Sequence, residues 1–280
     1  MGYLIQNGKT INASKPILSA DNRSFRYGDG CFETIRVYNG KLLMRDLHFE
    51  RLFSTMRVLK FSVPQSLSAE YLEGCIQDLC KKNGAFALGR VRLTIYRSDG
   101  LIHESTNPSP NFVIQAWPLS KEVVKLNDHG LTVDFFPGAR KSCDELSNLK
   151  SNNYLPYVMA AIHAREKKLN DCFVLNTHER VADSTVANVF LIRNNQISTP
   201  SLTEGCVAGV TRKYLLQLLH LNGIKVTEKH VTQLDCLHAD EIFLSNALSG
   251  VKWVASCGIK KYRNLVVKQI HSLLHLSLLF

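Results

Sequence analysis

The chain has 280 residues, 45% of them apolar and 21% charged, with a formal net charge of +10. That length gives one large domain or two modest ones, and the composition excludes a disordered, collagenous or disulfide-scaffold protein. The basic residues come in short pairs such as Lys81-Lys82, Lys167-Lys168 and Lys260-Lys261 with no nucleic-acid motif beside them, so the charge reads as dispersed surface lysine, suited to small anionic ligands, with no nucleic-acid partner expected.

From the N-terminus, Tyr3-Leu4-Ile5-Gln6 followed by Asn7-Gly8 reads as a strand entering a hairpin turn. Thr34 to Tyr38, Asn39-Gly40 and Lys41 to Met44 read as a second hairpin. Arg45 to Leu59 predicts a helix, because Phe49, Leu52, Phe53, Met56 and Leu59 recur on one face. Leu67 to Lys82 predicts another. Val91 to Tyr96 and Phe112 to Ala116 are expected strands. Residues 119–129 are the expected linker between a domain of residues 1–118 and one of residues 130–280.

Beyond the linker, Leu131 to Phe136, Cys172 to Leu175, Asn188 to Ile192, Glu241 to Leu244 and Val251 to Ala255 are expected strands. Asn153 to Leu169 and Thr211 to Leu221 are expected helices. Strands and helices mix without strict alternation, which points to an α+β fold. The apolar stretch Ile270 to Phe280 is shorter than the ~20 residues needed to span a bilayer, so a docked helix is expected and no membrane partner. The N-terminal residues lack the pattern of a secretory signal. The eight cysteines form no CxxC and no zinc spacing, so they read as reduced core residues of a cytoplasmic protein.

Four distant segments carry potential chemistry. Lys150, in Asn148-Leu149-Lys150-Ser151-Asn152-Asn153-Tyr154, stands just before a helix, where an amine near apolar surface could attack an aldehyde. His48 and Arg51 share one side of the first long helix, and the guanidinium could fork onto a phosphate. Gly209-Val210-Thr211-Arg212 opens a helix, where backbone N–H groups and the dipole favour an anion. Ser245-Asn246-Ala247-Leu248 ends a strand in small polar residues that could offer N–H groups. Each segment alone also has a plain reading: a solvated lysine, an exposed arginine, a capped helix, a turn.

Taken in order, these segments resemble the class IV aminotransferases, the fold-type-IV pyridoxal phosphate enzymes. The resemblance begins at Arg26-Tyr27-Gly28-Asp29-Gly30-Cys31-Phe32-Glu33-Thr34 and covers nearly the whole chain. It continues through the HxxRL at His48, the KxxNY at Lys150, Ala187-Asn188-Val189-Phe190, the GVTR at Gly209 and the SNAL at Ser245. It implies a two-domain fold of the D-amino-acid aminotransferase type, with a smaller N-terminal and a larger C-terminal domain. It also implies pyridoxal 5'-phosphate in the cleft and a homodimer. Lys150 would carry the cofactor and move the Cα proton. Arg51 would bind the cofactor phosphate, with the backbone of Val210 and Thr211 and the loop at Asn246 and Ala247. Tyr154 would hydrogen-bond the phenolic oxygen, and Tyr27 and Phe32 would line the substrate pocket.

One position departs from the family pattern. Where relatives place a glutamate beside the pyridine nitrogen, five residues before the Asn of the NVF strand, this chain has Asp183. The charge type is kept, so the ring nitrogen could still be held protonated, but the side chain is one methylene shorter.

The strings Gly28 to Phe32 and Ser245 to Leu248 resemble those of 4-amino-4-deoxychorismate lyase more than those of the branched-chain enzymes. This implies a lyase giving 4-aminobenzoate and pyruvate for folate synthesis, acting on a small anionic amino-group substrate. Tyr154 and the string Phe32 to Arg36 equally suit a branched-chain or D-amino-acid aminotransferase using 2-oxoglutarate. A third alternative is a relative that binds the cofactor without turnover, should Asp183 be disabling. Arg97 and His103 are the expected contacts for a substrate carboxylate, since the further arginine of an RGxxxRG run is absent.

Overall fold

The computed structural model describes residues 2–104 and 108–279. The chain divides into two compact units, Met1–Val123 with Lys150–Asn153, and Val124–Leu149 with Tyr154–Phe280.

The first unit contains β1 (Tyr3–Gln6), β2 (Lys9–Asn12), α1 (Arg23–Tyr27), β3 (Gly30–Tyr38), β4 (Lys41–Leu42), α2 (Arg45–Val58), α3 (Ala69–Lys82), β5 (Leu88–Tyr96) and β6 (Asn111–Pro118). Its strands form one antiparallel sheet in the order β2-β1-β6-β5-β3-β4. The hairpin between β3 and β4 turns at Asn39 (φ 47°) and Gly40 (φ 77°). Both are left-handed, as a two-residue turn matching strand twist requires.

Side chains alternate along β3. Cys31, Ile35 and Val37 join Phe49, Leu52 and Met56 of α2 and Leu72, Ile76 and Leu79 of α3 in one core. Glu33 is in phase with that apolar set, whereas Phe32, Thr34 and Arg36 point to the opposite face. The expected helical face of α2 is thus the buried one. α3 starts two residues later than its apolar pattern suggests, because Ser68 caps it by accepting from the Tyr71 N–H at 3.1 Å.

The second unit contains β7 (Leu131–Lys141), α4 (Leu155–Glu166), β8 (Asp171–Asn176), β9 (Val181–Ser184), β10 (Asn188–Arg193), β11 (Gln196–Pro200), α5 (Val210–Leu221), β12 (Val226–Lys229), α6 (Gln233–His238), β13 (Glu241–Asn246), β14 (Gly250–Cys257), β15 (Lys260–Lys261) and α7 (Leu265–Leu279). Its mixed sheet runs β12-β11-β10-β13-β14-β7-β8-β9, with β15 on β14. Both faces are covered. Val189 and Leu191 of β10 enter one core with Val231 and Cys236, while Phe190 and Ile192 enter another with Leu215 and Leu219 of α5 and Val267, Ile270 and Leu274 of α7. A third core joins Phe136, Cys172 and Val174 to Tyr157, Ala160 and Ala164 of α4.

The C-terminal apolar stretch is therefore a docked helix, as expected. No helix among the described residues is long and apolar enough to cross a membrane. The cysteines are free thiols, six buried and two half-buried, in keeping with a role in the core. The mixed α+β architecture matches the sequence expectation. Among the elements that the patterns did not mark are α1, β9, β11, β12, α6 and β15. β9 carries Asp183 and Ser184, which interrupt any apolar pattern, yet all four of its residues are buried by pairing with β8.

Candidate functional site

In the first unit, residues 150–152 run beside the start of β3. The Phe32 N–H donates to the Lys150 carbonyl at 3.0 Å, and the Asn152 N–H donates to the Gly30 carbonyl at 2.9 Å. These bonds fix the backbone on both sides of Lys150. Lys150 is half-buried as a residue, and its amine lies 4.5 Å from the centroid of the Phe32 ring. The Arg92 guanidinium, from β5, lies 3.7 Å from the centroid of the same ring. Phe32 therefore has two cations within cation–π reach.

Arg51 is anchored by a residue that the sequence reading passed over. Its Nε donates to Glu33 Oε1 at 2.7 Å and its Nη2 to Oε2 at 2.5 Å, while His48 Nδ1 meets Oε2 at 2.7 Å. Burial alone would raise the Glu33 carboxyl, but Arg51 and His48 overcome it and hold the pKa at about 2. Burial pushes His48 down despite Glu33, which favours a neutral imidazole. The sequence placed the Arg51 fork on a phosphate; in the structure that fork grips Glu33. The available signal was a glutamate in phase with Cys31, Ile35 and Val37, since a carboxylate on a buried stripe demands a partner.

Arg97 is likewise committed. Its Nε sits 3.0 Å from Asp29 Oδ2, it donates to the Leu59 carbonyl, and its guanidinium lies 4.1 Å from the centroid of the Phe61 ring. Asp29 also takes Arg23 Nε at 2.8 Å. His103 is exposed in a turn. Tyr27 ends α1 with its ring exposed, 5.8 Å from the Arg23 guanidinium.

In the second unit, Asp183 is buried at the centre of a donor cluster. Oδ1 accepts from Asn188 Nδ2 at 2.9 Å. Oδ2 accepts from the Tyr157 hydroxyl at 2.6 Å, the Val207 N–H at 2.9 Å and Lys141 Nζ at 3.4 Å. Burial first, and the Asp183 charge second, raise the Tyr157 phenol well above its ordinary range, so it serves as a neutral donor. Tyr154 occupies the N-cap position of α4, and its ring packs tilted by 31° against that of Tyr157, with centroids 4.4 Å apart.

Asn188 links this cluster to the start of α5 and the end of β13. It pairs in register with Ser245, and its Nδ2 also donates to the Val207 carbonyl at 2.8 Å. A Cβ at Gly209 would fall 1.9 Å from Asn188 Oδ1, so only glycine lets the α5 N-terminus approach so closely. Val210, Thr211 and Arg212 form the first turn, whose N–H groups have no acceptor within the helix. Thr211 Oγ1 and Ser245 Oγ are buried with no hydrogen-bond partner. Asn246 Oδ1 accepts from the N–H groups of Leu248 and Ser249 at 3.0 and 2.9 Å, which shapes the loop that includes Ala247. The structure thus gathers Asp183, Tyr154, Thr211 and Asn246 on neighbouring elements of one unit. Ser245, from the strand end already singled out, joins them, as do Lys141, Tyr157 and Asn188, to which the sequence reading gave no site role.

The family model for amino-transferase class IV matches residues 30–257. The chain belongs to the class IV aminotransferases. The aminodeoxychorismate lyase of Vibrio harveyi is 28% identical over 234 residues, 82% of this chain and 83% of that one. The D-alanine aminotransferase of Bacillus licheniformis is 27% identical over 256 residues, 89% of this chain and 86% of that one. The branched-chain aminotransferase of Thermoproteus uzoniensis, solved with norvaline, superposes with a TM-score of 0.85 at 23% identity, covering 97% of this chain and 92% of that one, a likeness of fold.

Class IV aminotransferases work with pyridoxal 5'-phosphate, so this chain is an enzyme of that cofactor class. Its residues fit the cofactor. Two orphaned buried hydroxyls and a helix N-terminus suit a phosphate, and a buried carboxylate suits a ring nitrogen.

Proposed function

We propose that the enzyme is a 4-amino-4-deoxychorismate lyase, releasing 4-aminobenzoate and pyruvate, and that it acts in the cytoplasm as a homodimer. The observation that carries the site is the amine of Lys150 held beside Phe32 with the Arg92 guanidinium on the same ring. The lyase choice is supported by the strings Gly28 to Phe32 and Ser245 to Leu248 and by the likeness to the Vibrio harveyi lyase.

Pyridoxal 5'-phosphate supplies an electron-accepting ring that stabilises a carbanion beside the amino nitrogen. Lys150 holds the cofactor through its amine and moves the proton at the amine-bearing carbon. Asp183 keeps a negative charge for the ring nitrogen, and Tyr154 donates to the phenolic oxygen. Thr211, the Val210 and Thr211 N–H groups and the loop at Asn246 and Ala247 bind the phosphate, with Arg51 contributing from its Glu33 anchor. Phe32 and Tyr27 line the substrate pocket. Arg92 takes the carboxylate role that the sequence offered to Arg97 and His103, since Arg97 is committed to Asp29.

The atoms of 4-aminobenzoate and pyruvate sum to those of the substrate, so no second substrate is required. Purified enzyme given 4-amino-4-deoxychorismate without a 2-oxo acid should release 4-aminobenzoate. A second reading, amino transfer to 2-oxoglutarate, is favoured by the likeness to the Bacillus licheniformis aminotransferase. Turnover that appears only when a 2-oxo acid is added would replace the first reading by the second. No turnover in either assay would leave a binding protein.

A further inference from the structure

Each oxygen of an ionised carboxylate offers about two lone-pair directions, and Asp183 meets three donors on Oδ2 and one on Oδ1, so Oδ2 is the crowded oxygen. Three of these donors are fixed. The Val207 N–H belongs to the backbone. Asn188 is tied to the Val207 carbonyl and confined by Gly209. Tyr157 is buried in the core of α4. The fourth, Lys141, is the only cation among them, and at 3.4 Å its contact is the longest. Its flexible stem also has other places to rest, with the Ser147 carbonyl 3.0 Å from Nζ and the Tyr157 ring centroid at 5.1 Å. A buried carboxylate with its own ammonium is neutralised before any ligand arrives.

We propose that Lys141 is an exchangeable counter-ion for Asp183, holding the carboxylate's charge until the protonated ring nitrogen of the cofactor takes its place. Lys141 then keeps the Ser147 carbonyl and the Tyr157 face. The proposal rests on the reading that Asp183 serves the ring nitrogen. Two cations that share one carboxylate compete for it, and the competition is a coupling free energy between them. Lys141 is therefore a positioning residue whose removal strengthens cofactor binding while weakening the empty fold.

The test compares native enzyme with Lys141→Met, Lys141→Gln and Asp183→Asn. Each empty protein is titrated with pyridoxal 5'-phosphate and with its 1-deaza analogue, which lacks the ring nitrogen. Melting is followed with and without each ligand. Both Lys141 variants should melt lower when empty. They should bind pyridoxal 5'-phosphate about tenfold more tightly, within the usual range of such couplings. Their affinity for the 1-deaza analogue should match that of native enzyme. Lys141→Gln keeps an uncharged N–H donor on a side chain one atom shorter, so the comparison survives if the methionine variant does not fold. Unchanged or weaker binding of pyridoxal 5'-phosphate in the Lys141 variants overturns the counter-ion role. If Asp183→Asn also leaves that binding unchanged, the carboxylate does not serve the ring, and the cofactor reading at Asp183 falls as well.

Discussion

The amine of Lys150 stands 4.5 Å from the ring centroid of Phe32, and the two residues are also joined through their backbones, the Phe32 N–H donating to the Lys150 carbonyl. The bond sets where the lysine leaves the backbone, and the ring sets where its amine ends. Lys150→Ala should abolish the visible absorbance of bound cofactor after dialysis. It should also lower turnover by at least about 10²–10⁴-fold, the usual contribution of a positioned proton-transfer group. A variant that keeps both its colour and its rate would remove Lys150 from the chemistry.

Glu33 gives a pH dependence with a defined sign. A carboxyl that titrates near 4.5 in a model compound is held at about 2 in the fold. A depressed carboxyl stabilises the fold fully above its unfolded value, and this stabilisation fades as the pH falls from about 4.5 to about 2. The gap corresponds to about 3 kcal/mol. Glu33→Gln should be less stable than native enzyme at neutral pH, and the difference should shrink through that acid window. Urea midpoints measured across the window decide the matter, and two parallel curves would contradict the assignment.

Arg97 and Arg92 should separate stability from recognition. Arg97→Ala strands Asp29 beside Arg23 alone and should cost about 1–3 kcal/mol of stability, with little change in KM. Arg92→Ala should raise KM for an anionic substrate by about tenfold or more, the scale of a lost charge-assisted hydrogen bond. Thermal melts and steady-state kinetics on the pair supply the answer. A raised KM in the Arg97 variant with no change in the Arg92 variant would reverse the roles.

Thr211 carries a buried hydroxyl that nothing satisfies in this structure. Thr211→Val removes the unmet hydroxyl with little change in shape, so the empty protein should melt at the same temperature or higher, by up to about 1–2 kcal/mol in stability. The same change should weaken pyridoxal 5'-phosphate binding by about tenfold, corresponding to one hydrogen bond to a charged group. Equal affinity in the two proteins would place the phosphate elsewhere.

What could be read in advance followed local periodicity. The Asn39-Gly40 hairpin, the buried face of α2 and the extent of α5 each depend on a few adjacent residues, and each matches its pattern. The pairings that define the site do not. Lys141 and Asp183 are 42 residues apart, and Glu33 and Arg51 are 18 apart. No spacing rule ties a strand carboxylate to a cation on another element, so tertiary approach alone creates those contacts. Arg97 shows the converse. It occupies a promising strand end, yet Asp29 and the Leu59 carbonyl had already claimed it.

The burial of sulfur has a bearing on selectivity. Aldehydes add thiols as readily as amines, and the thiolate is the reactive form. Burial pushes Cys80 and Cys172 to about 11 and Cys31, Cys206 and Cys257 to about 12. An aldehyde entering this enzyme therefore meets five thiols that burial keeps protonated, while the amine of Lys150 stands beside Phe32.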